Sequence, residues 1–214
     1  HSPFGYGDKL GLNVLASTTA DLKNGKVFYN FPLMANGLRG ELAASRTTYF
    51  LAEDFRALDA LGNSNALEAS LTYPAIKTKK ETLDVALAFA HKRMKDEVRS
   101  ISHVTRKASD VINLGLTYMK SHTLLGLNGT SDASLTLTHG DLAFKSLDDL
   151  LNDQSGARTN GHYSKLSGSL GRTLEFDKTR SLSVTLKFQK ALGHKNLDGS
   201  EDFSLGGAYG VRAF

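Results

Sequence analysis

Between Leu182 and Gln189 every second residue is apolar: Leu182, Val184, Leu186 and Phe188 alternate with Ser183, Thr185, Lys187 and Gln189. An extended chain points successive side chains to opposite faces, so this segment reads as a strand with one apolar and one polar side. The same phase recurs along the chain. Leu166, Gly168 and Leu170 oppose Lys165, Ser167 and Ser169, and Ile112, Leu114, Leu116 and Tyr118 oppose Asn113, Gly115 and Thr117. Leu83, Val85, Leu87 and Phe89 oppose Asp84, Ala86, Ala88 and Ala90, while Leu67, Ala69, Leu71 and Tyr73 oppose Glu68, Ser70 and Thr72. Leu10, Leu12 and Val14, then Val27, Tyr29 and Phe31, begin the series. The pattern predicts about nine strands, near 8–17, 25–33, 37–49, 64–74, 81–99, 108–121, 131–144, 162–176 and 180–191.

The links alternate in length. Pro74–Lys80 and Glu175–Thr179 are short, whereas Phe50–Asn63, Ser100–Lys107 and Lys145–Gly161 are longer and rich in Asp, Asn, Gly and Ser. Short turns on one rim and long loops on the other are what an outer-membrane barrel shows. Phe55, Leu58 and Leu61 stand at helical spacing, which suggests a short helix within Leu51–Leu61. Prolines 3, 32 and 74 fall near expected strand ends, where a missing amide donor is tolerated.

Composition narrows the function without choosing it. Hydrophobic residues make up 40% of the 214, and no run approaches the roughly 18 apolar residues of a spanning helix. A membrane barrel escapes that test, because only alternate residues face lipid. A water-soluble β-domain would give the same totals. There is no cysteine, which removes disulfides, thiolate metal sites and cysteine catalysis together. The net charge of +4 is spread along the chain apart from Lys77, Lys79 and Lys80, and no nucleic-acid signature accompanies it.

The chain carries few signatures of chemistry. His91, His103, His122, His139, His162 and His194 form no His-x-His or His-x-x-x-His pair, so no metal site is expected. Asp148, Asp149 and Asp153 lack calcium-loop spacing and read as a solvated acidic loop. Ser167-Gly168-Ser169 lies within a strand pattern and not at a nucleophile elbow, and Glu53, Asp54 and Asp59 merely share a loop. No catalytic residue and no cofactor is assigned. The polar faces carry Glu68, Asp84, Lys165, Lys187 and Gln189 among Ser, Thr and Gly, a wall suited to a hydrated interior.

An odd number of antiparallel strands leaves the first and last running the same way, so ordinary closure fails. Two unpaired edges in hydrocarbon would cost several kcal/mol per exposed backbone group, by rough estimate. The chain is therefore expected to be part of a larger barrel. Its last stretch holds Gly206-Gly207 and then Val211-Arg212-Ala213-Phe214, an arginine between apolar residues. Such an arginine is costly to bury without a carboxylate.

These last residues resemble the conserved loop of two-partner secretion transporters, the haemolysin-activator family of outer-membrane β-barrels. Pro3–Leu10 is similar to that family's turn into an early barrel strand, and Tyr29–Leu33 with Asn36–Arg39 to its following hairpin. Leu71-Thr72-Tyr73-Pro74 resembles a strand end, and Lys195–Phe203 the lead-in to the arginine loop. The resemblance implies an all-β fold, an antiparallel transmembrane barrel of which this chain holds about nine of about sixteen strands. Residues 1–214 would be an incomplete barrel domain, with the periplasmic recruitment modules and the last strands absent. The implied function is secretion of a large partner protein, a haemolysin or filamentous adhesin, through the lumen. The implied partners are that exoprotein and outer-membrane lipid, with no nucleic acid and no small-molecule substrate, at the outer membrane of a Gram-negative cell. Gly206, Gly207, Val211, Arg212, Ala213 and Phe214 would form the functional loop. Two alternatives remain open: an assembly factor of the same superfamily and a soluble ligand-binding β-barrel.

Overall fold

The computed structural model describes residues 2–17, 22–50, 59–124, 126–177 and 179–201. They form a single antiparallel sheet of nine strands: β1 (Lys9–Ala16), β2 (Leu22–Pro32), β3 (Arg39–Phe50), β4 (Ala60–Lys77), β5 (Glu81–Val98), β6 (His103–Leu124), β7 (Leu127–Phe144), β8 (Gly161–Glu175) and β9 (Ser181–Leu192). Each strand pairs with its neighbour in sequence, and β1 and β9 form the two ends. The sheet is open, as expected of part of a barrel.

Register confirms the assignment of faces. Leu12 sits opposite Val27, Val27 opposite Ala44, Ala44 opposite Leu67, and the row continues to His91. Leu71, Leu87, Leu114, Leu137 and Leu166 form a second row on the same side. This side is left uncovered by the chain: Leu87 is 49% exposed, Phe89 45% and Leu186 66%. The described core lies against the other side, where Met94, Leu142 and Tyr163 are buried and Phe144 and Leu197 pack on them. The sheet has turned its apolar face outward.

Strand lengths depart from the sequence expectation. β4 runs through Pro74 to Lys77, because an irregularity between Pro74 and Ile76 absorbs the missing donor. β6 begins at His103, so the expected long link at Ser100–Lys107 contracts to a single 3₁₀ turn over Arg99–Ile101, closed by Ser102 at φ 53°. β6 and β7 also extend toward each other, leaving two residues between Leu124 and Leu127, of which Gly126 has φ 78°. The proposed helix in Leu51–Leu61 is corrected at its end, since Ala60 and Leu61 already belong to β4. Residues 51–58 lie outside the described residues. A helix does form in the 145–160 link: α1 (Leu147–Ser155).

The links on one rim are therefore 33–38, 78–80, 125–126 and 176–180, and on the other 17–21, 51–59, 99–102 and 145–160. The contrast of short and long rims holds at 51–59 and 145–160, whereas 17–21 and 99–102 are no longer than links on the other rim. Three of the motifs meet at the short rim. Asp8, 4% exposed, accepts hydrogen bonds from the Phe4 and Tyr6 amides and from the Tyr29 hydroxyl, and Ser2 donates a further one. Burial pushes its carboxyl up, but these donors outweigh it and hold the group below the usual aspartate value. Arg39 donates to Asn30 at 2.6 Å and to the Gly7 carbonyl at 2.9 Å. Gly37, at φ +93°, lies where a Cβ would come 2.8 Å from Pro74 Cγ, so this turn requires glycine on both counts.

Candidate functional site

After β9 the chain turns back at the long-loop rim and folds onto the polar side of the sheet. Gly193 and His194, both at positive φ, make the reversal. Lys195 Nζ then donates to the Asn160 carbonyl at 2.7 Å, and Asn196 Nδ2 to the Ala157 carbonyl at 2.7 Å. The 145–160 loop that receives them is held by Asp153. Its carboxylate accepts from the Thr159 amide and hydroxyl at 2.9 and 2.6 Å and from the Asn160 amide at 2.9 Å. Asp149 bonds to Thr105 at 3.3 Å and lies 3.1 Å from His103. Asp149 and Asp153 are 5% and 8% exposed, so the reading of a solvated acidic loop is overturned. Asp153 replaces water with backbone and hydroxyl donors, and Asp149 with the Thr105 hydroxyl and the His103 ring.

Leu197 enters the apolar cluster beside Phe144, and the next residues carry charge. Asp198 accepts from Lys107 Nζ at 2.9 Å, and the same ammonium lies 3.3 Å from Asp96, which takes the Tyr49 hydroxyl at 2.6 Å. Glu201, 6% exposed, is gripped by Lys92 at 2.7 Å and Lys165 at 2.8 Å. Its backbone carbonyl takes two more donors, Lys165 at 2.7 Å and Gln189 Nε2 at 3.0 Å. Strands β5, β8 and β9 thus each contribute a side chain to Glu201 in the short 3₁₀ turn Gly199–Glu201, and β6 contributes one to Asp198 just before it.

The charge balance sets the protonation of this turn. Burial pushes the Glu201 carboxyl up, but hydrogen bonds and charge from Lys165 and Lys92 outweigh it and hold the group below its ordinary 4.5. Asp198 follows the same logic: burial raises it, Lys107 lowers it further, and the result lies below 3.8. Both groups are therefore ionised at neutral pH, and the ammonium groups compensate a buried charge that would otherwise be expensive.

Beneath the turn the fit is tight. Tyr163, 5% exposed, lays its ring over Gly140 on β7, where a Cβ would fall 2.4 Å from Cζ. Beside the turn a polar cavity of about 580 Å³ opens between β3 and β6, walled by Glu68, Lys92, Asp96, Lys107 and Asp198. Glu68, on its wall, is bonded to Lys26 on β2 at 2.9 Å. Among the described residues no group of three or more His, Asp or Glu could hold a metal ion.

All five residues assigned to the polar faces share the side on which the loops fold. Lys165 and Gln189 meet at Glu201; Glu68 lines the cavity. Asp84, opposite Pro74 and Thr117, sits toward the short rim, away from the turn. Lys187 lies opposite Ser169 on the same side. Gly206, Gly207, Val211, Arg212, Ala213 and Phe214 lie outside the described residues. The sequence reading did not single out Lys92, Lys107, Asp198 or Glu201. The signal was present in part: Lys92 is in phase with Asp84, and Asp198 and Glu201 fall inside the quoted lead-in motif. What periodicity lacks is the knowledge that the chain turns back.

The chain matches the haemolysin secretion/activation protein family ShlB/FhaC/HecB over residues 1–214. Among curated proteins it is similar to the heme/hemopexin transporter protein HuxB of Haemophilus influenzae strain 86-028NP, with 27% identity over 208 residues. That match covers 97% of this chain and 36% of the relative. The HuxB of Haemophilus influenzae strain ATCC 51907 matches over the same shares at 26% identity. The chain thus spans roughly a third of the length of these relatives. An open nine-stranded sheet with its apolar face outward, and a lead-in motif clamped to its polar face, are the structural form of that match: the chain belongs to the ShlB/FhaC/HecB family of haemolysin secretion/activation proteins.

Proposed function

We propose that this chain is the central part of an outer-membrane barrel that secretes one large partner protein in two-partner secretion. The apolar side would face lipid, and the polar side with Glu68, Asp84, Lys165, Lys187 and Gln189 would line the conduit. The long-loop rim would lie at the cell surface. A soluble barrel around a small ligand would place its apolar face inward, which is the reverse of the arrangement here.

One observation carries the reading: the Lys195–Glu201 segment returns to the polar side and is clamped there by Lys92, Lys107 and Lys165. In this reading the clamp is the fixed base of the loop containing Gly206, Gly207, Val211, Arg212, Ala213 and Phe214. Arg212 would set the conducting state against a carboxylate elsewhere in the barrel. A wall of alternating charge and hydroxyls gives an unfolded polypeptide weak, reversible contacts along its path. The cargo would be a haemolysin, an adhesin or, following the name of the similar transporters, a protein of heme or hemopexin handling.

The test uses the full-length protein with its cognate exoprotein. Arg212→Ala and Glu201→Gln are each expected to lower secretion and to alter single-channel conductance in planar bilayers. Wild-type secretion and conductance in both variants would sink this proposal.

A further inference from the structure

The outward face carries a second group of cations, and among the described residues no carboxylate pairs with it. Arg46 on β3, Asn65 on β4 and Arg93 on β5 lie in one row, each directly opposite the next. Strands sit about 4.8 Å apart, so the two arginines leave the sheet roughly 10 Å from each other with a small polar residue between them. Arg46 and Asn65 make no side-chain hydrogen bond or ion pair among the described residues, and both are exposed. Arg93 is aimed: its Nε–H donates to His91 Nε2 at 3.3 Å, while His91 Nδ1 lies 2.7 Å from Asp110. Because Nε2 accepts, Nδ1 carries the proton and donates to the carboxylate. Asp110, the acid of this neighbourhood, is therefore occupied by the histidine.

Directly below the row, toward the short rim, the wall is apolar and indented. Gly25 and Ala44 leave a depression of about 620 Å³ among Leu12, Val27 and Leu67, roofed by Arg46 and Arg93. A pair of guanidinium groups matches phosphate oxygens in charge and geometry. An apolar hollow adjoining them matches hydrocarbon. One molecule that presents both, in this order and on this face, is a phosphorylated, acylated glycolipid of the outer leaflet.

We propose that Arg46, Asn65 and Arg93, with the Gly25–Ala44 hollow beneath them, form a binding site for the phosphorylated acyl-glycolipid of the outer leaflet. The inference rests on the outer-membrane reading above, with the long rim outside. A row of cations that merely anchors the wall at the interface would hold any anionic lipid equally; one arginine aimed by His91 and a second exposed beside it, over a hollow, hold one phosphate and its chains.

The experiment uses full-length protein in detergent, titrated with bisphosphorylated lipid A, its dephosphorylated form, or phosphatidylglycerol, and read by native mass spectrometry. Wild type is expected to retain lipid A and to lose preference for it when the phosphates are removed. The Arg46→Ala/Arg93→Ala double variant should bind at least roughly tenfold more weakly. Arg46→Lys/Arg93→Lys should recover part of that loss, and Arg180→Ala, at the short rim, should bind like wild type. Equal binding by the double variant, or equal retention of phosphatidylglycerol by wild type, overturns the site. A surface tag in the 145–160 loop, assayed on intact cells, separates the two failures. If the tag is inaccessible outside, the proposal falls together with the orientation it rests on; if it is accessible and binding is unchanged, the site alone falls.

Discussion

The two faces of this sheet carry positive charge near the same rim, and they treat it in opposite ways. On the inner side Lys92, Lys107 and Lys165 each meet a carboxylate at 2.7–2.9 Å. In the outer row, among the described residues, Arg46 is unpaired and Arg93 bonds only to a histidine, whereas Lys95 beyond the row meets Glu97 at 3.0 Å. The inner cations are mostly removed from water and fix the chain's own return. The outer ones stay exposed and cost the fold little. Partnered charge here is architecture, and unpartnered charge is available for something beyond the chain.

The contrast can be broken hardest at Glu201. Replacing it with lysine sets a third ammonium between Lys92 and Lys165. Hydrogen exchange in the full-length protein should then show residues 195–201 open while the β6–β7 pairing stays protected. Lys165→Ala is milder, at about 3 kcal/mol for leaving one side of a buried pair uncompensated, and the same measurement reads it. The Gly140→Ala change comes next. Its Cβ would strike the Tyr163 ring, which is walled in by Met94 and Leu142, at a cost of about 1–3 kcal/mol in chemical unfolding.

Acid sharpens the comparison without a mutation. The carboxyls of Glu201 and Asp198 are held below their ordinary values, so their contribution is complete above about pH 4.5 and is lost as the pH falls through the folded values. Protease sensitivity of residues 195–201 should therefore rise below pH 4.5 and not between pH 5 and 8. At the outer row Arg46→Ala and Arg93→Ala should change unfolding stability by no more than about 0.5 kcal/mol each. A loss as large as that of Lys165→Ala would erase the distinction between the two faces.

Much of this was legible from residues alone, and the limit has a physical cause. Wherever one face meets an apolar medium, alternation reports the phase of the strand; Leu83 to Phe89 and Leu182 to Phe188 could be assigned to a face without coordinates. Beyond the apolar belt both faces are polar, and the signal ends before the strand does. That is why His103–Lys107 and His122–Leu124 looked like loop and are strand. The helix α1 had a readable pattern in Leu147, Leu150 and Leu151, preceded by Ser146. The inner clamp was the least legible element. Lys92, Lys107 and Glu201 are unremarkable in their local contexts, and only the return of the chain brings β5, β6, β8 and residue 201 together.

The turn at Gly199–Glu201 also governs reach. Arg212 lies eleven residues beyond Glu201, so a fully stretched chain places it at most about 40 Å from a fixed point on the wall. In the proposed role, a carboxylate that paired with Arg212 would meet it at an effective concentration on the order of millimolar. If the proposed secretion role holds, recapture after a polypeptide displaced the tip would be intramolecular, and its speed would be set by the tether and not by the depth of the contact it remakes.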